Sequence, residues 1–393
     1  FLGQELGRAG FVARKQERQR AADLFKRLGV AIDLDAPSRR LTTAQQQLVE
    51  IARALAFDAR IIVMDEPSAA LTSREVERLF EIIRDLKAHG IGIIYISHRL
   101  DEIFAVADRV SVLRDGANVG EQPIGQLTRH QLIEMMVGRE LKDEFPRRSV
   151  LPGPTKLEIQ GLRRGRAVRD VSFAVRRGEV FALTGLIGSG RTETVRLIFG
   201  ADQRDAGEIL LDGKPLRIRH PRDAIAAGLG LLTEDRKLQG LVLGHSVREN
   251  FGLPNLSWLS RAGFVALRRE RDEFARYVEA LKIKVPHQEE RARNLSGGNQ
   301  QKVVLAKWLA RRCEVLIFDE PTRGIDVGAK FEIYLLMNKL AAQGKAVIMV
   351  SSELPEVLGM ADRILVMHDG RVTGQIADVP RATQAEIMKL AVA

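Results

Sequence analysis

The sequence predicts an α/β fold present twice in tandem, the first copy incomplete. The first observation behind this is an internal repeat. Leu41-Thr-Thr-Ala-Gln-Gln-Gln47 lies 254 positions before Leu295-Ser-Gly-Gly-Asn-Gln-Gln301, and Asp65-Glu66-Pro67 lies 254 before Asp319-Glu320-Pro321. The same offset carries Ser97 onto Ser351 and Asp115-Gly116 onto Asp369-Gly370. The second observation is the pattern of apolar runs. Val180-Phe-Ala-Leu183, Val315-Leu-Ile-Phe318 and Val347-Ile-Met-Val350 are continuous rather than alternating, as in parallel strands buried on both faces, and helix-like segments such as Gln300 to Leu309 and Ala329 to Leu340 lie between them. The third is a glycine-rich turn that directly follows one of these strands, Gly185 to Thr192.

Taken along the chain, Arg8-Ala-Gly-Phe-Val-Ala13 recurs as Arg261-Ala-Gly-Phe-Val-Ala266, an offset of 253, and each copy leads into a charged helical segment. The repeat thus reaches almost to the first residue. The second copy opens near Lys156, after a Pro/Gly-bearing stretch around Pro152 to Pro154. An equally long first copy would begin about 100 residues before Phe1, so the first copy is expected to lack its opening portion. The expected division is residues 1–125 for the remainder of the first domain, 126–155 for a linker and 156–393 for the second domain.

Composition narrows the function classes. A net charge of +10 is compatible with nucleic acid or an anionic membrane surface, but aromatics are only 5% and no base-stacking array accompanies the basic residues, so no nucleic-acid partner is expected. The single cysteine, Cys313, precludes an intramolecular disulfide, and no secretory leader opens the sequence, which reads as cytoplasmic. The apolar runs are far shorter than the roughly 20 residues of a spanning helix, so no transmembrane segment is expected.

Three motifs carry chemistry. Gly185-Leu-Ile-Gly188-Ser189-Gly190-Arg191-Thr192 has the phosphate-loop spacing, two glycines five apart followed by a basic residue and a hydroxyl, with Arg where Lys is usual. Its glycines let backbone N–H groups turn onto phosphate oxygens, the following helix adds its positive end, and the Thr192 hydroxyl can ligate Mg2+. Arg191 can hold a phosphate, but as a planar fork rather than a compact ammonium. Two strands, Ile61-Ile-Val-Met64 and Val315-Leu-Ile-Phe318, end in the acidic pairs Asp65-Glu66 and Asp319-Glu320. At the mouth of a sheet the Asp of each pair can orient Mg2+ and the Glu can polarise water. A lone apolar run ending in Asp-Glu reads more simply as a strand entering a surface turn, but two in register overturn that reading. Finally, Ser296 with Gly297 and Gly298 opens a helix where hydroxyl and N–H groups can meet a γ-phosphate, although Ser-Gly-Gly alone is ordinarily a helix cap.

These segments resemble the Walker A, Walker B and signature motifs of the ABC ATPase family, in the right order and over essentially the whole chain. Leu295 to Lys302, Asp319 to Lys330, Thr233-Glu-Asp-Arg-Lys237 and Ser351 to Val357 resemble the tandem ATPases of ribose, galactose and xylose importers. The resemblance implies two ABC-type nucleotide-binding domains, each a mixed sheet with a RecA-like core and a helical subdomain, using ATP and Mg2+ to energise monosaccharide import. It also implies separate integral-membrane permease subunits docking around Phe1 to Val30 and Leu241 to Val285. A periplasmic sugar-binding protein would deliver the cargo, and the chain would lie peripherally at the cytoplasmic face of the membrane.

In that family ATP is sandwiched between the Walker A of one domain and the signature of the other. The first site then combines Asp65, Glu66 as the water-polarising carboxylate, His98 as the switch histidine and Ser296, Gly297, Gly298 and Gln300, but its phosphate loop is not in the sequence. The second combines Gly185, Gly188, Ser189, Gly190, Arg191, Thr192 and Glu193 with Asp319 and Glu320. Here Thr42-Thr43-Ala44 replaces Ser-Gly-Gly, Ser352 takes the switch position, Glu234 stands where the family usually has a glutamine, and Leu162 to Val168 offers no aromatic for adenine. A β-branched Thr43 impedes close backbone approach to phosphate. The expectation is a second site that binds nucleotide and hydrolyses it poorly. The rival readings are a soluble tandem ABC ATPase acting on ribosomes or nucleic acid, and a non-hydrolysing nucleotide-binding module.

Overall fold

Contacts divide the chain, described here by a computed structural model, into two units, residues 1–140 and 141–393. The structure describes all residues except 2, 4, 9, 10, 58, 69, 70, 98, 115, 139–144, 147, 149, 150 and 326. The switch candidate His98 therefore lies outside the described residues, as does Asp115 of the repeat.

The first unit opens with a small hairpin, β1 (Gly7–Arg8) and β2 (Phe11–Val12), followed by helices α1 (Arg14–Arg27) and α2 (Thr43–Ala56). Strand β3 (Ile61–Asp65), helix α3 (Ser73–Ala88) and strand β4 (Gly92–Ile96) form a parallel β-α-β unit with Ile61 opposite Gly92 and Asp65 opposite Ile96. Helix α4 (Leu100–Val106), the hairpin β5 (Arg109–Arg114) and β6 (Ala117–Pro123), and helix α5 (Arg129–Val137) complete it. Three of its helices begin with reciprocal capping boxes, Thr42 with Gln45, Thr72 with Glu75 and Thr128 with Gln131, so the sequence itself sets where each starts. The core gathers Ile51, Leu55, Ile62, Met64, Leu79, Ile83 and Leu86 on one face of the β3–β4 pair, while Ile61, Val63, Ile94 and Ile96 stand exposed on the other. Helix α5, with Leu132 and Ile133 buried, occupies part of the 126–155 stretch read as linker, and the division between units falls after it.

In the second unit a four-stranded antiparallel sheet has the order β11 (Lys214–Pro215), β10 (Ala206–Leu211), β7 (Thr155–Arg164), β8 (Val168–Arg176). A six-stranded sheet has the order β12 (Leu229–Leu232), β15 (Val315–Asp319), β16 (Ala346–Val350), β9 (Val180–Gly185), β17 (Arg363–His368), β18 (Arg371–Ile376). It is parallel except for β18, which pairs antiparallel at the edge, so the sheet is mixed as expected. Every residue of β15 and β16 is buried, which is why their sequences are continuous apolar runs. Around the sheet lie α6 (Arg191–Phe199), α7 (Pro221–Ala226), α11 (Gly297–Ala310), α12 (Val327–Ala342), α13 (Leu354–Met360) and α14 (Gln384–Ala391). A helical section between β12 and α11 holds α8 (Val247–Gly252), α9 (Leu256–Leu259), a second small hairpin β13 (Ser260–Arg261) and β14 (Phe264–Val265), and α10 (Leu267–Ala280). Phe251 and Phe274 pack there at 5.2 Å, beside a buried Arg248–Glu270 ion pair. Because β9, β15 and β16 are parallel neighbours, their carboxyl ends open onto the same edge, bringing Gly185, Asp319 and Val350 together.

Candidate functional site

At that edge, the turn from β9 into α6 runs through Gly185, Gly188 and Gly190, with φ of 148°, 81° and 94°. A Cβ at Gly185 would collide with the carbonyl of Met367, and one at Gly190 with that of Ala167, so the loop is closed to other residues. Ser189 Oγ and Arg191 Nη1 are buried and make no hydrogen bond, which leaves a donor of each free to meet an anion or water. Thr192 Oγ1 donates to Asp319 Oδ1 at 3.1 Å, and Glu193 follows in the first turn of α6.

Arg191 does more than line the loop. Its Nη1 lies 3.4 Å from Glu320 Oε1, and both side chains are less than a tenth exposed. Ser352 Oγ donates to Glu320 Oε2 at 3.2 Å. Burial pushes Asp319 up to about 7 and raises Glu320 from its ordinary value. The site thus holds two desolvated carboxylates beside one guanidinium and two hydroxyls, a set poised to take a cation with an anionic ligand. Among the described residues no cluster of three His, Cys, Asp or Glu side chains gathers, so a metal here needs ligand atoms from elsewhere, such as phosphate oxygens.

The other expected residues are distributed as follows. Ser296 caps α11 by accepting from Asn299 N, and Gly297 and Gly298 form its first turn. Gln300 is buried and engaged at both ends, accepting from Arg236 Nε at 3.4 Å and donating to Ala292 O at 3.0 Å. Glu234 pairs with Arg323, three residues beyond Glu320. In the first unit, Asp65 ends β3, and Glu66 N donates to Ile96 O at 2.9 Å, as Glu320 N does to Val350 O at 2.9 Å. Both glutamates have left-handed backbone, φ 47° and 45°. Thr42 caps α2 as Ser296 caps α11.

Two residues missed by the sequence reading emerge here. Glu356 is fully buried, accepts from Thr322 Oγ1 at 3.1 Å and from Ser351 Oγ, and is pushed by burial up to about 7. Glu102, 254 positions earlier, accepts from Ser68 Oγ at 2.6 Å, Tyr95 OH at 2.8 Å and Ser97 Oγ at 3.2 Å. Each carboxylate ties the segment after an acidic pair to the residue before a switch position. The repeat offset is the signal that would have found them.

Comparison with known proteins agrees with this geometry. The ABC transporter family matches residues 168–323. A ribose import ATP-binding protein of Rubrobacter xylanophilus is 52% identical over 374 residues, covering 95% of this chain and 75% of that protein. A putative ribose/galactose/methyl galactoside import ATP-binding protein of Burkholderia cenocepacia is 52% identical over 395 residues, covering 100% of this chain and 77% of the relative. A ribose import ATP-binding protein of Oceanobacillus iheyensis is 49% identical over 392 residues, covering 100% and 79%. Among solved structures, MJ1267, an ATP-binding cassette of an ABC transporter, matches with a TM-score of 0.52 at 20% identity, over 61% of this chain and 100% of that one, which shows the shared fold. No helix among the described residues is long and apolar enough to cross a membrane. The chain belongs to the ATP-binding subunits of ribose/galactose-type ABC sugar importers.

Proposed function

We propose that this chain is an ATPase subunit energising import of a monosaccharide of the ribose/galactose class, docked on integral-membrane permease subunits at the cytoplasmic face and served by a periplasmic sugar-binding protein. The observation that carries the nucleotide role is the buried Ser189 Oγ, which has no hydrogen-bond partner, in a loop with no room for side chains at Gly185 and Gly190. In this reading the backbone N–H groups of 185–192 and the N-terminus of α6 bind the phosphates. Thr192 and Asp319 hold Mg2+, whose bound charge would neutralise the phosphate oxygens. Asp65 is the corresponding carboxylate of the first copy. Ser296, Gly297 and Gly298 present hydroxyl and N–H groups to a phosphate, and Gln300 steadies their helix. Glu66 with His98, and Glu320, orient water.

The second phosphate loop is proposed to bind nucleotide but turn it over slowly. Arg191 engages the carboxylate that would otherwise accept a proton from water, and Ser352 stands at the switch position without an imidazole. Glu234, held by Arg323, is unavailable as a neutral amide sensor. The test is Mg2+-dependent ATP hydrolysis by the purified chain beside Glu66→Gln and Glu320→Gln variants, with binding of a fluorescent ATP analogue measured in parallel. Analogue binding with little turnover, unchanged in Glu320→Gln, is expected. Robust turnover abolished by Glu320→Gln would sink the proposal of a slow second site.

A further inference from the structure

Beside the second phosphate loop the chain closes a ring through Glu356. Ser352 Oγ donates to Glu320 Oε2 at 3.2 Å, and the neighbouring Ser351 Oγ donates to Glu356 Oε2. Thr322 Oγ1, two residues beyond Glu320, donates to Glu356 Oε1 at 3.1 Å and completes the circuit. The ring is tied to the phosphate loop as well, because Thr184, the residue before Gly185, donates its hydroxyl to Ser351 O at 2.9 Å. Thr184, Thr322, Ser351 and Glu356 are all buried.

Stability alone does not call for a carboxylate here. Among the described residues no cation pairs with Glu356, whose partners are neutral hydroxyls, and an apolar side chain of like length would fill the space without desolvating a polar head. Yet the first copy has the same three groups 254 positions earlier, with Glu102 accepting from Ser68 Oγ and Ser97 Oγ. The backbone contact repeats too: Arg99 N donates to Ser97 Oγ at 3.0 Å and Glu353 N to Ser351 Oγ at 3.1 Å. Their surroundings have been exchanged. Tyr95, which donates to Glu102, becomes Met349, and His98 becomes Ser352. Arg99, with Nη1 2.7 Å from Glu102 Oε1, becomes Glu353, which turns to Lys330 at 2.7 Å. The carboxylate and two hydroxyls persist where the ion pair, the phenol and the imidazole do not, so their service is independent of which residue holds the switch position.

We infer that Glu356 is a positioning residue for the terminal phosphate of a bound nucleoside triphosphate: by clasping Thr322 to Ser351 it holds Glu320 and Ser352 Oγ together at the mouth of the phosphate loop. Glu102 clasps Ser68 to Ser97 in the same way. The inference rests on the nucleotide reading of residues 185–192. Each clasp joins the turn after an acidic pair to the end of the neighbouring strand, and Glu66 and Glu320 in those turns have left-handed backbone, a conformation kept only where the surroundings fix it. The basic residue of a phosphate loop reaches the β- and γ-phosphates, and Arg191 lies 3.4 Å from Glu320, so Glu320 and Ser352 face the γ end. The frame therefore matters to a triphosphate and hardly to a diphosphate, and the side chain it presents can differ between copies.

The test is titration calorimetry of the full chain with ADP and with a non-hydrolysable ATP analogue, both with Mg2+, for wild type, Glu356→Met, Glu356→Gln and Thr322→Val, with cooperative unfolding checked in parallel. Glu356→Met is expected to lower the preference for the analogue over ADP about tenfold, the worth of one well-placed hydrogen bond to a charged oxygen, while ADP affinity stays within about twofold. Glu356→Gln should keep most of the preference, because its amide can accept from Thr322 and donate to Ser351. Thr322→Val should lose part of it and cost nothing further when added to Glu356→Met. An unchanged preference in Glu356→Met, or in Thr322→Val should the first variant fail to fold, would overturn the inference. Equal losses of ADP and analogue affinity would overturn it too, by making Glu356 a structural support only. A wild-type chain that binds neither ligand defeats the nucleotide reading, and this inference with it. One that binds both alike leaves that reading standing and overturns the positioning role alone.

Discussion

Replacing Arg191 with methionine should show how firmly the second phosphate loop depends on its pairing with Glu320. The charges lie 3.4 Å apart with both side chains less than a tenth exposed. At an effective dielectric constant of about 20 they attract by roughly 5 kcal/mol. Removing one member of a buried pair costs about 3 to 5 kcal/mol, because the other is left desolvated. Glu320 has a way to limit that loss, since burial already raises its carboxyl and a proton can replace the guanidinium. The expected destabilisation at pH 7 is therefore at the lower end, about 3 kcal/mol. Arg191→Met/Glu320→Gln should recover most of it, for a coupling of about 2 kcal/mol or more. Urea unfolding of the nucleotide-free chain followed by tryptophan fluorescence is suited to this, because both tryptophans, Trp258 and Trp308, lie in the second unit. Without Arg191, the folded state also binds the Glu320 proton more tightly than the unfolded state. The stability that protonated Glu320 contributes to Arg191→Met should thus be fully present at low pH and be lost as pH rises through its raised value, a slope absent from Arg191→Met/Glu320→Gln. Losses in the two single variants that add to within about 0.5 kcal/mol would refute the pairing.

Three further outcomes follow from the same region. Burial holds Glu356 near 7 against a usual value of 4.5, so its contribution to stability is fully present below about 4.5 and is lost as pH rises through 7; Glu356→Gln should flatten that part of a melting-temperature profile, corresponding to as much as about 3 kcal/mol. Thr192→Val removes the hydroxyl that meets Asp319, and the Mg2+-dependent gain in ATP-analogue affinity should fall at least about tenfold while Mg2+-free binding holds; an unaltered Mg2+ response would exclude Thr192 from the metal site. Gly190→Ala forces a Cβ against the Ala167 carbonyl at a φ of 94°, and titration calorimetry should find no analogue binding in a chain that still unfolds cooperatively.

The frame of the second unit was legible because burial on both faces writes itself as uninterrupted apolar sequence. Val315 to Phe318 and Val347 to Val350 differ from the observed strands by a single residue each. Gln300 to Leu309 lies inside α11, whose true start at Gly297 is set by the Ser296 cap. The antiparallel sheet of β7, β8, β10 and β11 escaped notice, since its alternation of buried and exposed positions is broken by register shifts at Ile159/Leu162 and Leu162/Arg163. At the site, the residue types were readable from spacing within each motif, but their pairings were not. Arg191 and Glu320 follow β9 and β15, strands distant in sequence that the sheet order brings to either side of β16, and no local period encodes their pairing. Glu356, two residues into α13, reads as an ordinary acidic residue at a helix start until the fold buries it.

The left-handed backbone shared by Glu66 and Glu320 bears on how such a protein can be improved or can drift. A non-glycine residue there carries about 1 to 2 kcal/mol of conformational cost, which glycine would relieve. Both copies retain it, although their switch positions are occupied by His98 and Ser352 and their helix-opening segments have parted ways. The strain is therefore a legacy of the crossover from strand to loop and not a certificate of turnover. A survey that ranked catalytic competence by backbone outliers would score the two halves of this molecule alike, and an engineer seeking thermal tolerance would find one gain at Glu320, where turnover is expected to be little affected, and another at Glu66, which is proposed to orient water.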